Sequence, residues 1–157
     1  MQQKVLVGVD FGASAPWAAG YAVKLASRLK LPLVFMGVAK ESSPPGGSNT
    51  LLPESLDETK RRRLELLVQQ CHDEGVGLEI LLTSGPFFQN LRQLLTASGN
   101  FKFLVVGVPR EGPLLEDFLA SLKELHRLFR GEILLVREQG RVARFADLKP
   151  RKQRRNS

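Results

Sequence analysis

The chain has 157 residues, of which 43% are hydrophobic, 25% charged and 7% aromatic, with a net charge of +7. This length and composition fit one globular domain with an adequate core, and they exclude collagenous and coiled-coil proteins and, with a single cysteine, disulfide scaffolds. No apolar run reaches the roughly 20 residues that span a bilayer, and the first residues do not read as a signal peptide, so we expect a cytoplasmic protein.

The positive charge is concentrated near the C-terminus. Seven Lys or Arg residues against one Asp in 139–157 account for +6 of the +7. We therefore predict a domain over 1–138 and a basic, flexible tail over 139–157. The tail either keeps the protein in solution or binds nucleic acid or another polyanion without sequence preference. The residues nearest the end that would carry such binding are Arg151, Lys152, Arg154 and Arg155.

Five short apolar runs predict the strands of a sheet. They are Lys4–Val9, Leu33–Val38, Leu78–Leu82, Phe103–Val106 and Glu132–Val136. Continuous apolar runs of this length are typical of strands buried on both faces.

Helical patterns lie between these strands. They run from a cap at Ser14 to about Leu29, and over about 54–74, 87–98 and 114–129. Alternation of strands and helices predicts an α/β fold, because parallel strands need crossover connections. We expect an open, doubly wound, Rossmann-like sheet of five parallel strands in the order 3-2-1-4-5, with helices on both faces.

Two loops of this predicted sheet suit a ligand. In a doubly wound sheet the crevice lies beyond the carboxyl ends of the strands, where the strand order reverses. The first loop begins at Asp10, and the second runs from Gly107 through Arg110 and Gly112 to a helix start. Free amides at a helix N-terminus suit phosphate. The Asp10 carboxylate either contacts a ribose or a base or caps its own turn.

At this point the residues resemble the universal stress protein family, over about 4–137. The resemblance rests on the first strand with its terminal Asp10, on Ala18, Ala22 and Ala26, on Leu104–Gly107, on Leu119–Ser121 and on the closing strand Ile133–Val136. It implies a five-stranded parallel sheet, usually dimeric, and ATP binding in many members.

The family's nucleotide motif is Gly, two residues, Gly, nine residues, then Gly followed by Ser or Thr. Here the corresponding residues are Gly107, Arg110, Ala120 and Ser121, so two of the three glycines are replaced. A side chain at such positions blocks close approach of backbone amides to phosphate. The positions that still match the family are Asp10, Val38, Gly107 and Ser121.

The degenerate motif predicts a non-enzymatic regulatory or binding module with no certain cofactor. In the alternative interpretation the chain binds ATP or AMP, with the Arg110 guanidinium on phosphate and Gly112 supplying flexibility. The P-loop, nucleophile-elbow and His-Glu-x-x-His patterns are missing from the sequence. Cys71 and His72 are adjacent and form neither a metal site nor a nucleophile pair.

Two further features concern partners. The basic run 60–63 resembles a nucleic-acid patch, but neighbouring acids favour a solvated helix face. The last predicted strand lies at a sheet edge, and an uncovered apolar edge tends to find a partner. We therefore expect a homodimer formed through Ile133, Leu134, Leu135 and Val136. The sequence also leaves open a protein partner of another kind.

Overall fold

A computed structural model describes residues 3–10, 17–40, 56–97, 100–108, 113–137 and 141–147. The strands are β1 (Lys4–Asp10), β2 (Leu33–Lys40), β3 (Leu78–Ser84), β4 (Phe101–Gly107), β5 (Glu132–Val136) and β6 (Val142–Arg144). The helices are α1 (Trp17–Leu29), α2 (Glu58–Glu74), α3 (Phe87–Ala97) and α4 (Pro113–Leu128), and a 3-10 turn, Phe145–Asp147, follows β6. Within the described residues, no helix combines the length and the apolar character needed to cross a membrane.

The sheet has the order β3-β2-β1-β4-β5-β6. The first five strands in this order are parallel, which confirms the predicted α/β class and the 3-2-1-4-5 order. β6 is an additional strand and pairs antiparallel with β5.

This sixth strand corrects one sequence-based expectation. The strand Ile133–Val136 was predicted to lie uncovered at the sheet edge, and it is instead an inner strand between β4 and β6. Residues 142–147, predicted as part of the tail, form a strand and a 3-10 turn against β5. The remainder of the predicted tail, 148–157, lies outside the described residues.

Both faces of the sheet are covered by helices. Side chains of a strand alternate between the faces, so Val5 and Val7 pack under α1 and α2, whereas Leu6 packs under α3 and α4. The strands contribute apolar side chains to both cores, which explains why they read as continuous rather than alternating runs. The buried alanines Ala18, Ala22 and Ala26 let α1 lie close to the sheet, as their spacing predicts.

Helix α2 is shorter than its sequence pattern suggests. It begins at Glu58 because the Asp57 side chain caps it, with Oδ1 accepting the Lys60 N–H at 2.9 Å. It ends at Gly75, which takes the left-handed conformation. Val68 lies outside the buried stripe of the helix, since it is 46% exposed. The buried stripe is narrow and consists of Leu64, Leu67 and Cys71.

Candidate functional site at the carboxyl edge of the sheet

The carboxyl ends of β1, β2 and β4 bring three of the predicted site residues to one edge. Asp10 is the last residue of β1 and is paired in register with Val38 of β2. Gly107 is the last residue of β4, the strand on the other side of β1. Because β1 and β4 are the neighbours at which the chain reverses its direction across the sheet, this edge is the switch point where ligands bind in such folds.

The structure fixes the end of β4 tightly to its neighbours. Val38 is 2% exposed, and so is Val108, the residue after Gly107. The Val108 N–H donates to the Val136 carbonyl at 2.9 Å. The described part of the chain is therefore bound to β5 as far as residue 108. Two predicted site residues beyond it, Arg110 and Gly112, lie outside the described residues.

Trp17, which the sequence analysis did not single out, belongs to this edge as well. Its indole Nε1–H donates to the Val136 carbonyl at 2.9 Å, so that oxygen accepts both Trp17 and Val108. The bond holds the first residue of α1 to the end of β5, 119 residues away. The sequence offers one hint of this contact, a tryptophan at the start of a helix that follows a strand.

Ser121 lies inside α4, away from the free amides at the start of the helix. It is the ninth residue of α4, and it is half-buried. Only the first four N–H groups of a helix lack a partner within the helix, so the amides of Ala120 and Ser121 are committed to α4 itself. The free donors belong to the start of the helix, where Pro113 contributes none.

The charge at the start of α4 is negative. Glu116 lies in the first turn, Asp117 follows it, and both side chains are exposed. Acidic residues complement the positive end of the helix dipole. The two carboxylates already supply the negative charge that the helix dipole favours, and they would repel a polyphosphate placed at the same point.

Aromatic side chains fill the space between α3 and α4. The Phe87 and Phe88 rings meet edge-on with centroids 5.1 Å apart, and Phe88 meets Phe118 of α4 at 5.3 Å. Gly8 of β1 makes room for them, because a Cβ there would come within 3.1 Å of Phe87 and of Leu91. The α3 and α4 side of β1 is thus packed with rings rather than open.

A buried polar turn follows β3. The Asn90 Nδ2–H₂ group donates to the carbonyls of Ser84 and Pro86, both at 2.9 Å, and Gly85 between them has φ +97°. The Ser84 Oγ is fully buried and has no hydrogen-bond partner in the described structure. Sequence reasoning missed this turn, although Ser-Gly-Pro after a strand is a turn signal.

A small apolar cavity lies between α1 and α2, on the opposite face of the sheet. Its volume is about 200 Å³, and Val9, Phe35, Leu67 and Arg63 are among its lining residues. Ligand pockets usually measure about 300–1,000 Å³, so this cavity is smaller than a nucleotide requires.

Among the side chains that the structure describes, those with perturbed pKa values are Cys71, Arg144 and Asp147, which lie away from the carboxyl edge. Burial raises the pKa of the Cys71 thiol, and its neighbour His72 is exposed, so the two do not act together. The hydrogen bond from Arg144 lowers the pKa of the exposed Asp147. Among the described residues, no cluster of His, Cys, Asp and Glu could hold a metal ion.

The basic run 60–63 is a solvated helix surface, as its neighbours predicted. The Lys60 ammonium lies 3.8 Å from Asp57, and Arg62 lies 3.2 Å from Glu58, with the Arg62 and Glu58 side chains more than 70% exposed. These ion pairs follow the i,i+3 and i,i+4 spacing of a helix. Positive charge on this surface is therefore partly neutralised within α2.

The geometry defines a Rossmann-like α/β domain with a crevice at the β1/β4 switch point. The model of the universal stress protein family matches residues 1–124, and the chain belongs to that family. The sequence resemblance stated above is thereby confirmed. Among curated proteins, none matches the chain.

Solved structures of the family share the fold. A universal stress protein in complex with cAMP has a TM-score of 0.58 and 15% identity, over 87% of this chain and 98% of that one. A family member from Burkholderia pseudomallei has a TM-score of 0.55 and 18% identity, over 85% and 95%. One from Arabidopsis thaliana with AMP bound has a TM-score of 0.51 and 16% identity, over 85% and 91%.

Proposed function

We propose that this universal stress protein is a non-enzymatic regulatory or binding module whose nucleotide pocket no longer holds ATP tightly. The observation that carries the proposal is the course of α4, which is helical from Pro113 onward. The motif residues Ala120 and Ser121 therefore lie inside a helix, where their amides already have partners. The exposed carboxylates of Glu116 and Asp117 oppose a triphosphate at the helix start.

The absence of enzymatic activity is part of this proposal. General acid–base and nucleophilic catalysis use groups whose pKa values are tuned toward neutrality. Within the part of the chain that the structure describes, perturbed pKa values belong to the buried Cys71, whose raised pKa keeps it a thiol, and to the exposed pair Arg144 and Asp147. These groups do not share a cleft. A cytoplasmic location remains a prediction from composition.

A second candidate function is the binding of a nucleotide with a single phosphate. Asp10, Val38 and Gly107 lie at the same edge of the sheet, and relatives of this fold have cAMP and AMP bound. One phosphate needs fewer free amides than three. In this interpretation the Arg110 guanidinium, with the neighbouring Gly112, replaces the missing glycine amides. Polyanion binding by the basic tail stays a separate prediction.

Thermal stabilisation by ligand distinguishes these functions. At 1 mM, a nucleotide with a Kd of about 10 μM stabilises the fold by about 2.7 kcal/mol, whereas one with a Kd of about 1 mM gives roughly 0.4 kcal/mol. For a domain of this size these correspond to Tm shifts of roughly 5–11 °C and about 1–2 °C. We expect 1 mM ATP with magnesium to raise the Tm by no more than about 2 °C.

The controls separate the two candidates. A Tm rise above about 5 °C with ATP, lost in Asp10→Ala, contradicts the proposal. A rise with AMP or cAMP but not with ATP, again lost in Asp10→Ala, favours the single-phosphate site. Phosphate release from ATP measured beside a buffer blank tests the enzymatic part, and we expect equal rates.

A further inference from the structure

The outer side of β5 is occupied by the chain's own strand β6. β6 is three residues long and pairs with the last three residues of β5. The β5 side chains are buried between the helices on both faces, with Ile133 and Leu135 each 1% exposed. What an uncovered β5 would present is therefore a row of backbone N–H and C=O groups, which is the usual template for pairing with another chain.

The pairing pattern identifies which β6 amides hold the strand in place. The Arg137 N–H donates to the Arg141 carbonyl at 2.7 Å, so these two residues form a hydrogen-bonded pair. Hydrogen-bonded and non-bonded pairs alternate along an antiparallel ladder. The next bonded pair is Leu135 with Ala143. The backbone groups of Val142 and Arg144 point away from β5.

The side chains of Arg144 and Phe145 complete the attachment. The Arg144 guanidinium donates to Glu132 at 2.8 Å and to Asp147 at 3.0 Å, and its side chain is 56% exposed. The ring of Phe145 lies 5.2 Å from that of His126 on α4. Exposed ion pairs contribute little to stability. Phe145 is half-buried against the core formed with α3 and α4. β6 is thus held by a three-residue ladder, exposed ion pairs and one aromatic contact, so it can leave without unfolding the parallel sheet.

The direction of β6 matters as much as its position. When two copies of one strand pair across a two-fold axis, residue i of one contacts residue j of the other and the strands run antiparallel. β6 is antiparallel to β5, unlike the other neighbours in this sheet. It therefore fills the place that the β5 strand of a second copy would take.

We propose that β6 is an intramolecular cover that keeps the full chain monomeric, and that a second copy of this chain pairs with β5 only when β6 is displaced. The homodimer predicted from sequence thus becomes a conditional state. The interface would still be built on Ile133–Val136, and the outward-facing backbone groups of Ile133 and Leu135 would carry the pairing, because the Val136 carbonyl already accepts from Val108 on the other side.

Two proline variants test the cover at adjacent positions. Ala143→Pro removes the N–H that pairs with Leu135, whereas Val142→Pro removes an N–H that points to solvent. We expect the wild-type protein and Val142→Pro to sediment as monomers from 1 to 100 μM. We expect Ala143→Pro to dimerise with a dimer Kd at least tenfold lower than that of the wild-type protein. A monomeric Ala143→Pro with a native circular dichroism spectrum overturns the proposal.

A surface variant avoids the risk that proline disturbs folding. Arg144→Glu places a third negative charge beside Glu132 and Asp147 and should also promote dimers. Adding Glu132→Arg restores one ion pair, and we expect the monomer to return. Because exposed ion pairs contribute little, we expect a smaller shift toward dimers for Arg144→Glu than for Ala143→Pro. If both of these variants stay monomeric, β6 does not control the pairing and the proposal fails.

A disulfide covers the case in which the wild-type protein already dimerises. Val136 and Val142 form a non-bonded pair, whose short Cα separation suits a disulfide. Oxidised Val136→Cys/Val142→Cys cannot release β6. Loss of the dimer on oxidation supports the proposal, and a dimer that persists when β6 is locked contradicts it.

Discussion

Replacing Trp17 with phenylalanine tests whether its indole ties α1 to the end of β5. The substitution removes the N–H that donates to the Val136 carbonyl at 2.9 Å. That oxygen keeps a partner, because Val108 N–H also donates to it at 2.9 Å. The loss is therefore the net value of one hydrogen bond, about 1 kcal/mol, and not the larger penalty of an orphaned buried carbonyl.

The smaller ring adds a second contribution. Trp17 is half-buried, and at about 25 cal/mol per Å² the lost apolar burial amounts to roughly 0.5 kcal/mol. The free energy of unfolding should fall by about 1.5 kcal/mol in total. At about 2–4 °C per kcal/mol, the Tm should fall by about 3–6 °C. Urea unfolding followed by circular dichroism at constant pH measures the change.

Tyr21→Phe is the matched control on the same helix. Its hydroxyl forms no hydrogen bond among the described residues, so its removal should change the free energy of unfolding by less than about 0.5 kcal/mol. If Trp17→Phe is equally neutral, the indole does not anchor α1. If the loss exceeds about 3 kcal/mol, the carbonyl depends on Trp17 alone, and the shared acceptor is wrong.

Two further predictions concern packing and protonation. Gly131→Ala should lower the free energy of unfolding by roughly 1–3 kcal/mol, because the new Cβ would lie 2.5 Å from the Lys102 carbonyl and against the Phe129 ring. Gly20→Ala, in the same urea assay, should raise the free energy of unfolding by roughly 0.5–1 kcal/mol, since its Cβ meets open space. If the two variants change the free energy of unfolding equally, the close packing around Gly131 is refuted. The raised pKa of Cys71 means that the unfolded thiol ionises first, so its contribution to stability should hold below pH about 8.5 and decline as the pH rises further. The difference between wild type and Cys71→Ala across pH 7.5–9.5 measures this decline, and a constant difference argues against it.

The parallel core could be predicted from sequence because burial on both faces leaves a simple signal. Runs such as Glu132–Val136 coincide with the observed strand. α3 begins at Phe87, where its pattern begins, and α4 is offset from its pattern by one residue at each end. In these segments local pattern and tertiary packing agree. Turn residues such as Gly75 mark the ends of these helices and strands in the sequence.

β6 could not be predicted because its residues carry no such signal. Val142–Arg144 is short, largely exposed and contains an arginine, and it is a strand only because β5 offers a free edge. The roles of Trp17 and Ser84 also left no local signal in the sequence. The partner of Trp17 is 119 residues away, and the Ser84 hydroxyl has no partner in the described structure. The position of Asp10 and Val38 in one register followed from the strand order, whereas the roles of Arg110 and Gly112 stay predictions.

The indole at the switch point also gives the protein a spectroscopic reporter. Trp17 is the only tryptophan in the chain, and it lies where α1 meets the carboxyl edge. Its steady-state emission therefore comes from a single environment beside the crevice. Quenching or a wavelength shift on adding a solute would register occupancy there in unlabelled protein, with no background from a second fluorophore of its kind.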